Sequence, residues 1–192
     1  MKTRDFNKIL LLGSASPRRE ELIRRMDIPY RKVSIDFDEK QFPFNNVEEL
    51  ALLKSKSFDR ILQPDEVLLT ADTMVKSEGM ILGKPEDEKT AYEMLKRISG
   101  KTHLVETGVC MRSADSFISF SDITEVVFKP LNEEEIAYYI EKYRPFDKAG
   151  AYGIQEWIGL IGVEQIKGSF YTVMGLPTHL VWENWLKFNE KA

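Results

Sequence analysis

The chain has little of several things, and each shortage removes a class of function. It contains one cysteine, Cys110, so no intrachain disulfide can form, and a reducing compartment is expected. No apolar run approaches the ~20 residues of a membrane span. The opening MKTRDFNK has neither the apolar stretch nor the cleavage pattern of a secretory signal, so a cytoplasmic location is expected. Positive charge is not in excess: the net charge is −4, against the broad basic surface that binding a nucleic acid polymer requires. There is no G-x-x-x-x-G-K-[ST] phosphate loop, no G-x-G-x-x-G fingerprint and no G-x-S-x-G around Ser14 or Ser16. The two histidines, His103 and His179, lack metal-ligand spacing and read as structural. Any anion site on this chain must therefore be a local basic pocket.

Hydrophobic residues make up 43% of the 192, enough to build a core. No repeat, low-complexity tract or linker interrupts the chain, so residues 1–192 are expected to form a single domain of two lobes. ILLLGS reads as a strand, Pro17–Met26 as a helix, YRKVSIDF as a strand and Val47–Leu62 as a helix. EVLLTADTMV is a strand and Glu86–Ile98 a helix; THLVETGVCMR and FISFSDITEVVF form a hairpin. Asn132 caps a helix to Lys142, GLIGVEQIKGSF reads as a strand pair or hairpin, and Pro177–Asn189 is a closing helix. Early alternation of strands with helices and a central hairpin give an α/β class with a mixed sheet and flanking helices.

Charges in places that ought to be apolar carry the functional signal. Ser16 and Pro17 mark a helix N-terminus, yet Arg18 and Arg19 follow in the first turn, where the dipole disfavours cations by roughly 0.3–1 kcal/mol each. An anion docked there would meet free N–H groups and two guanidinium forks suited to phosphate oxygens. The competing reading points both arginines to solvent or pairs them with Glu20 and Glu21.

Lys54 falls on the apolar stripe Val47, Leu50, Ala51, Phe58, Ile61, Leu62, either as a functional cation or with its amine snorkelling to water. Asp72 interrupts a buried strand, where a carboxylate must be paired, hydrogen-bonded or metal-bound, unless the strand stops at Ala71. Lys84 sits in the tight turn ILGKP, and SIDFDEK places Asp36, Asp38 and Glu39 after a strand. In FDKAGAYGIQ, small residues allow close approach of a ligand. There Tyr152 offers a stacking ring, and Gln155 an amide that both donates and accepts. Cys110 reads as a core residue.

SASPRR, ADTMV, GKP, SGKTHLVETGV, TEVVF, DKAGAYGIQ and VMGLP occur in this order over nearly the whole chain. Together they resemble the Maf family of nucleoside triphosphate pyrophosphatases, and DKAGAYGIQ resembles the branch acting on dTTP and UTP. The resemblance implies a fold like inosine triphosphate pyrophosphatase: an elongated mixed sheet and two lobes around a cleft. It implies hydrolysis of a nucleoside triphosphate, including modified pyrimidine nucleotides, to the monophosphate and pyrophosphate, with a divalent cation (Mg2+ or Mn2+).

By the same resemblance Asp72 is the proton acceptor. Arg18, Thr73 and Gln155 are tied to substrate choice, Ser14, Arg19, Lys54 and Lys84 are further substrate-binding positions, and Glu39 joins Asp72 as a metal ligand. A homodimer is implied as well. Two departures stand out: Gly13 where the family often has alanine, and EWIGLIGVEQI, which differs from common versions. The other functions compatible with these motifs are a non-catalytic nucleotide-binding regulator of septum formation, and a pyrophosphatase acting on purine or 7-methylguanosine triphosphates.

Overall fold

The structure is a computed structural model and describes residues 6–38 and 46–190. Among these residues seven strands form one mixed sheet with helices packed against it. The chain divides into two compact units. The first comprises Met1–Asp72, Thr107–Ser121 and Gly175–Ala192, and the second Thr73–Glu106 and Asp122–Met174.

Strand β1 (Ile9–Leu12) runs into helix α1 (Pro17–Arg25), then β2 (Tyr30–Lys32), α2 (Val47–Lys56), β3 (Glu66–Ser77) and β4 (Met80–Leu82). Helix α3 (Glu88–Ile98), strands β5 (Thr102–Arg112) and β6 (Phe117–Phe128), and helix α4 (Glu133–Tyr143) follow. A short 3-10 turn (Ala149–Ala151) leads to α5 (Trp157–Gly162), β7 (Val163–Lys167), α6 (Phe170–Met174) and α7 (Thr178–Glu190). The sheet order is β2-β1-β3-β5-β6-β7, with β4 paired to β3. β1 is parallel to β2 and β3, whereas β3–β4 and β6–β7 are antiparallel, which makes the sheet mixed. β5 and β6 are adjacent and joined by a turn in which Ser113 N–H donates to Ser116 O at 2.8 Å.

Local chemistry explains most boundaries. Ser16 caps α1 by accepting from Arg19 N–H, with Pro17 at the first helical position. Asn46 caps α2 by accepting from Glu48 and Glu49 N–H, and Asp87 caps α3. Asn132 and Glu135 form a reciprocal capping box on α4. Leu10, Leu11 and Leu12 of β1 and Val67, Leu68 and Leu69 of β3 are buried, as a strand covered on both faces requires.

Three expectations need correction. YRKVSIDF is a strand only over Tyr30–Lys32; Val33 and Ile35 instead pack against Leu11, Leu62 and Leu68. Helix α2 ends at Lys56 rather than Leu62, where the Ser57 hydroxyl donates back to Leu53 O. Phe58 and Leu62 still reach the same cluster from beyond the helix, but Ile61 is 82% exposed.

GLIGVEQIKGSF is not a strand pair: it holds the end of α5, the single strand β7 and the start of α6. Its first apolar residues belong to a helix because Ile158 and Gly162 repeat at a spacing of four on the buried face, and short apolar runs do not separate helix from strand by period. The strand read in EVLLTADTMV is present as β3, which runs through Asp72 to Ser77, so the alternative end at Ala71 is excluded.

Candidate active site

In the first unit, three contacts assemble a carboxylate and two cations. The Thr70 hydroxyl donates to Ala51 O at 2.7 Å, tying β3 to α2 at the turn before Lys54. Gly108 lets β5 approach the first residue of α2, since a Cβ there would lie 2.4 Å from Val47 C and O. With α2 held this way, Lys54 Nζ lies 2.8 Å from Asp72 Oδ1. The side chains of Lys54 and Asp72 are only 12% and 15% exposed, and the Phe37 ring centroid is 5.9 Å from the ammonium. Lys54 is therefore not snorkelling to open water. Its charge is committed to a carboxylate that would be costly to bury alone.

Arg19 reaches the same strand. Its Nη1 donates to Ala71 O at 2.7 Å and to Ser14 Oγ at 3.3 Å, while Nε donates to Gly175 O at 2.8 Å. Ser14, Arg19, Lys54 and Asp72 are thus brought together, with Ala71 O linking the arginine to the residue beside Asp72. Arg18 lies half-buried in the first turn of α1. The alternative pairing of both arginines with Glu20 and Glu21 is not supported: Glu20 accepts from Lys32 at 2.8 Å and from Tyr30, and Glu21 meets Arg25. Glu20 is thus held by two residues of β2, and Glu21 by Arg25 one turn along α1.

The family's frequent alanine is absent at Gly13 for a visible reason. A Cβ at Gly13 would sit 2.4 Å from Ile35 Cδ1, so the isoleucine side chain fills that space.

In the second unit, Thr73 follows Asp72 along β3 and is half-buried. Lys84 is exposed in the turn after β4, and the carbonyl of its neighbour Gly83 accepts from Gly150 N–H at 3.0 Å. This places the backbone beside Lys84 against the segment that carries Gln155. Gln155 is exposed immediately before α5.

Tyr152 departs from expectation. It is buried edge-on against His103 and Phe128, with its hydroxyl 2.8 Å from His103 Nε2, so it is a core residue and not a stacking platform for a ligand. Burial pushes the His103 imidazole down to about 4. Cys110 is buried in the core, and burial raises its thiol. A feature the residue patterns did not single out is the ion pair Lys148–Glu156 together with Tyr139. Its only sequence trace is a lysine beside turn glycines, with a glutamate eight positions on.

Glu39 lies outside the described residues. Among the described residues no cluster of three or more His, Cys, Asp or Glu side chains is arranged to hold a metal ion. Asp72 nevertheless has the right donor chemistry for Mg2+, a hard cation that takes one or two carboxylates and completes its shell with phosphate and water oxygens.

A mixed α/β fold, with a lysine-paired aspartate beside a helix N-terminus bearing arginines, defines the class of protein. The family described as Maf-like protein matches residues 9–187, and the chain belongs to that family. A dTTP/UTP pyrophosphatase of Phocaeicola vulgatus is 46% identical over 178 residues, covering 90% of this chain and 92% of that protein. One from Porphyromonas gingivalis is 44% identical over 188 residues, 94% of each chain. Among solved structures, the Staphylococcus aureus Ham1 protein matches 63% of this chain and 72% of its own, with 15% identity and a TM-score of 0.43.

Proposed function

We propose that this protein hydrolyses dTTP and UTP, and modified pyrimidine nucleotides of the same kind, to the nucleoside monophosphate and pyrophosphate. The observation that carries the reading is the Lys54–Asp72 pair beside Arg19 and Ser14, in a chain whose curated relatives are named for this activity.

The reaction needs a water oxygen to form a bond to the α-phosphorus while the bond from that phosphorus to the bridging oxygen breaks. Asp72 orients the water and takes its proton, with Lys54 holding the carboxylate in place. Arg18, Arg19, Lys54 and Lys84 offset the charge of the triphosphate, most strongly as it gathers on the departing pyrophosphate. Ser14 and Thr73 offer hydroxyls to phosphate oxygens. Gln155 reads the base: its amide can donate to O4 and accept from N3–H of uracil or thymine, a pattern that cytosine and adenine reverse, while guanine and hypoxanthine, which share it at O6 and N1–H, differ by their larger ring. Asp72, with Glu39, would hold a divalent cation, Mg2+ or Mn2+, which would supply further charge neutralisation on the phosphates.

The cytoplasmic placement is supported by the single, buried cysteine, and no helix among the described residues is long and apolar enough to cross a membrane. The homodimer rests on the family resemblance alone.

The test is pyrophosphate release from dTTP, UTP, CTP, 5-methyl-UTP, dITP, GTP and 7-methyl-GTP with Mg2+ or Mn2+. Release confined to uracil and thymine nucleotides supports the reading. Release from purine nucleotides instead overturns the substrate and keeps the reaction. Binding with no release from any of them leaves a nucleotide-binding regulator.

A further inference from the structure

We infer that the buried network Lys148–Glu156–Tyr139 is a positioning device for Gln155, and so sets the base selectivity of the reaction without touching the nucleotide. This rests on the dTTP/UTP reading above and names what makes Gln155 discriminating.

The segment from Lys148 to Glu156 is closed by its own end residues. Lys148, with its side chain 8% exposed, lies 2.7 Å from Asp147 Oδ1 and 3.2 Å from Glu156 Oε1. The other oxygen of Glu156 accepts from the Tyr139 hydroxyl of α4, and that hydroxyl in turn accepts from Gly153 N–H at 3.0 Å. Burial and the neighbouring carboxylate push the Tyr139 phenol up, which keeps it a donor toward Glu156. Glu156 N–H donates to Gly153 O at 3.0 Å, closing a turn whose inner residues are Ile154 and Gln155. Both ends of the turn that carries Gln155 are therefore held by one network.

Three further features show that the arrangement is specific. Glu156 is the N-cap of α5 but makes no side-chain capping bond; its carboxylate turns back toward Lys148 and Tyr139 instead. Gly153 is the residue that permits this, because a Cβ there would lie 2.8 Å from Glu156 Cδ. The segment also holds two left-handed residues in succession, Gly150 and Ala151, and a non-glycine residue keeps that conformation only when its surroundings impose it.

An amide selects a base only if it stands at hydrogen-bond distance from O4 and N3–H, and the backbone of the turn sets the point from which the Gln155 side chain reaches. A turn that shifts carries the amide away from that edge and loses the bonds that favour uracil over cytosine. Buried polar networks are best attested in this role, where they specify one arrangement over its neighbours.

The experiment compares kcat and KM for UTP and CTP in the wild type, Tyr139→Phe, Glu156→Gln, Gln155→Ala and the double variant Tyr139→Phe/Gln155→Ala. Thermal melting and hydrogen exchange at the Gly153 amide accompany the kinetics. Tyr139→Phe is expected to lower the UTP/CTP ratio of kcat/KM by ~10-fold or more, through KM for UTP, with kcat nearly unchanged and faster exchange at Gly153. Glu156→Gln keeps an acceptor for the Tyr139 hydroxyl and is expected to retain part of the ratio. In the Gln155→Ala background, Tyr139→Phe is expected to change the ratio no further, since it acts through Gln155.

A folded Tyr139→Phe protein with the wild-type ratio overturns the inference and leaves the activity reading standing. Wild-type protein that hydrolyses neither nucleotide overturns the activity reading. The same variants are then compared by calorimetric binding of UTP and CTP, where an unchanged preference, or no binding by the wild type, overturns the inference as well.

Discussion

Lys54 Nζ and Asp72 Oδ1 are 2.8 Å apart, each side chain more than four-fifths shielded from solvent, although the residues come from a helix and a strand eighteen positions apart in the chain. Asp72→Asn keeps the size of the side chain and removes its capacity to take a proton. We expect kcat for pyrophosphate release to fall by about 10²–10⁴-fold, the usual contribution of a positioned proton acceptor, while nucleotide binding persists. Calorimetric titration beside a pyrophosphate assay measures both, and full activity of the variant excludes Asp72 as the base.

Arg19 has two tasks that one substitution separates. Its guanidinium donates to the carbonyls of Gly175 and Ala71, so truncation to alanine removes charge-assisted hydrogen bonds from the first unit. Arg19→Ala is expected to destabilise the protein by about 2 kcal/mol and lower Tm by roughly 4–8 °C, in addition to weakening triphosphate binding. Scanning calorimetry without nucleotide reads the structural part. An unchanged Tm would mean that these carbonyl contacts contribute nothing in solution.

His103 predicts a pH dependence of stability with a definite sign. Its folded value is about 4 against the 6.5 usual for a histidine, so the unfolded chain binds the extra proton between those pH values. The stabilisation is complete above pH ~6.5, declines as pH falls through that window and is fully lost below the folded value, a total of about 3 kcal/mol. Urea unfolding at half-unit steps from pH 7 to 4.5 measures the slope. His103→Gln, which retains a partner for the Tyr152 hydroxyl, is expected to flatten it.

Two glycines of the first unit separate backbone from side-chain crowding. A Cβ at Gly108 meets the Val47 backbone at 2.4 Å, whereas one at Gly13 meets the end of the Ile35 side chain at 2.4 Å. Gly108→Ala is expected to cost about 3 kcal/mol or more, and Gly13→Ala only about 1 kcal/mol, because the isoleucine can change rotamer. Denaturant midpoints of the two variants give the comparison; equal losses would show that α2 moves as readily as a side chain.

The residues that announce themselves in the chain are those whose local chemistry is self-contained. Ser16-Pro17 and Asn132 start helices at the expected places because a cap needs only neighbours three residues away. β3 was legible from its run of buried types, and the charges at Lys54 and Asp72 stood out because they break that pattern. The ends of α2 and β2 were not legible. Phe58, Leu62, Val33 and Ile35 keep an apolar pattern outside regular structure, where they fill the space around Leu11 and Leu68.

The sequence by itself determined the class of fold, the helix starts, the family and the charged positions worth asking about. Hydrophobic period, capping chemistry and ordered motifs are written along the chain and need no partner at long range. Only the tertiary structure decided that Lys54 faces Asp72, that Arg19 spends donors on Ala71 and Gly175, that Tyr152 is core, and that Lys148, Glu156 and Tyr139 close on one another. Each of those is a meeting of groups from separate elements. Which charges are paired and which rings are covered depends on desolvation and distance, and these exist only once the elements are packed.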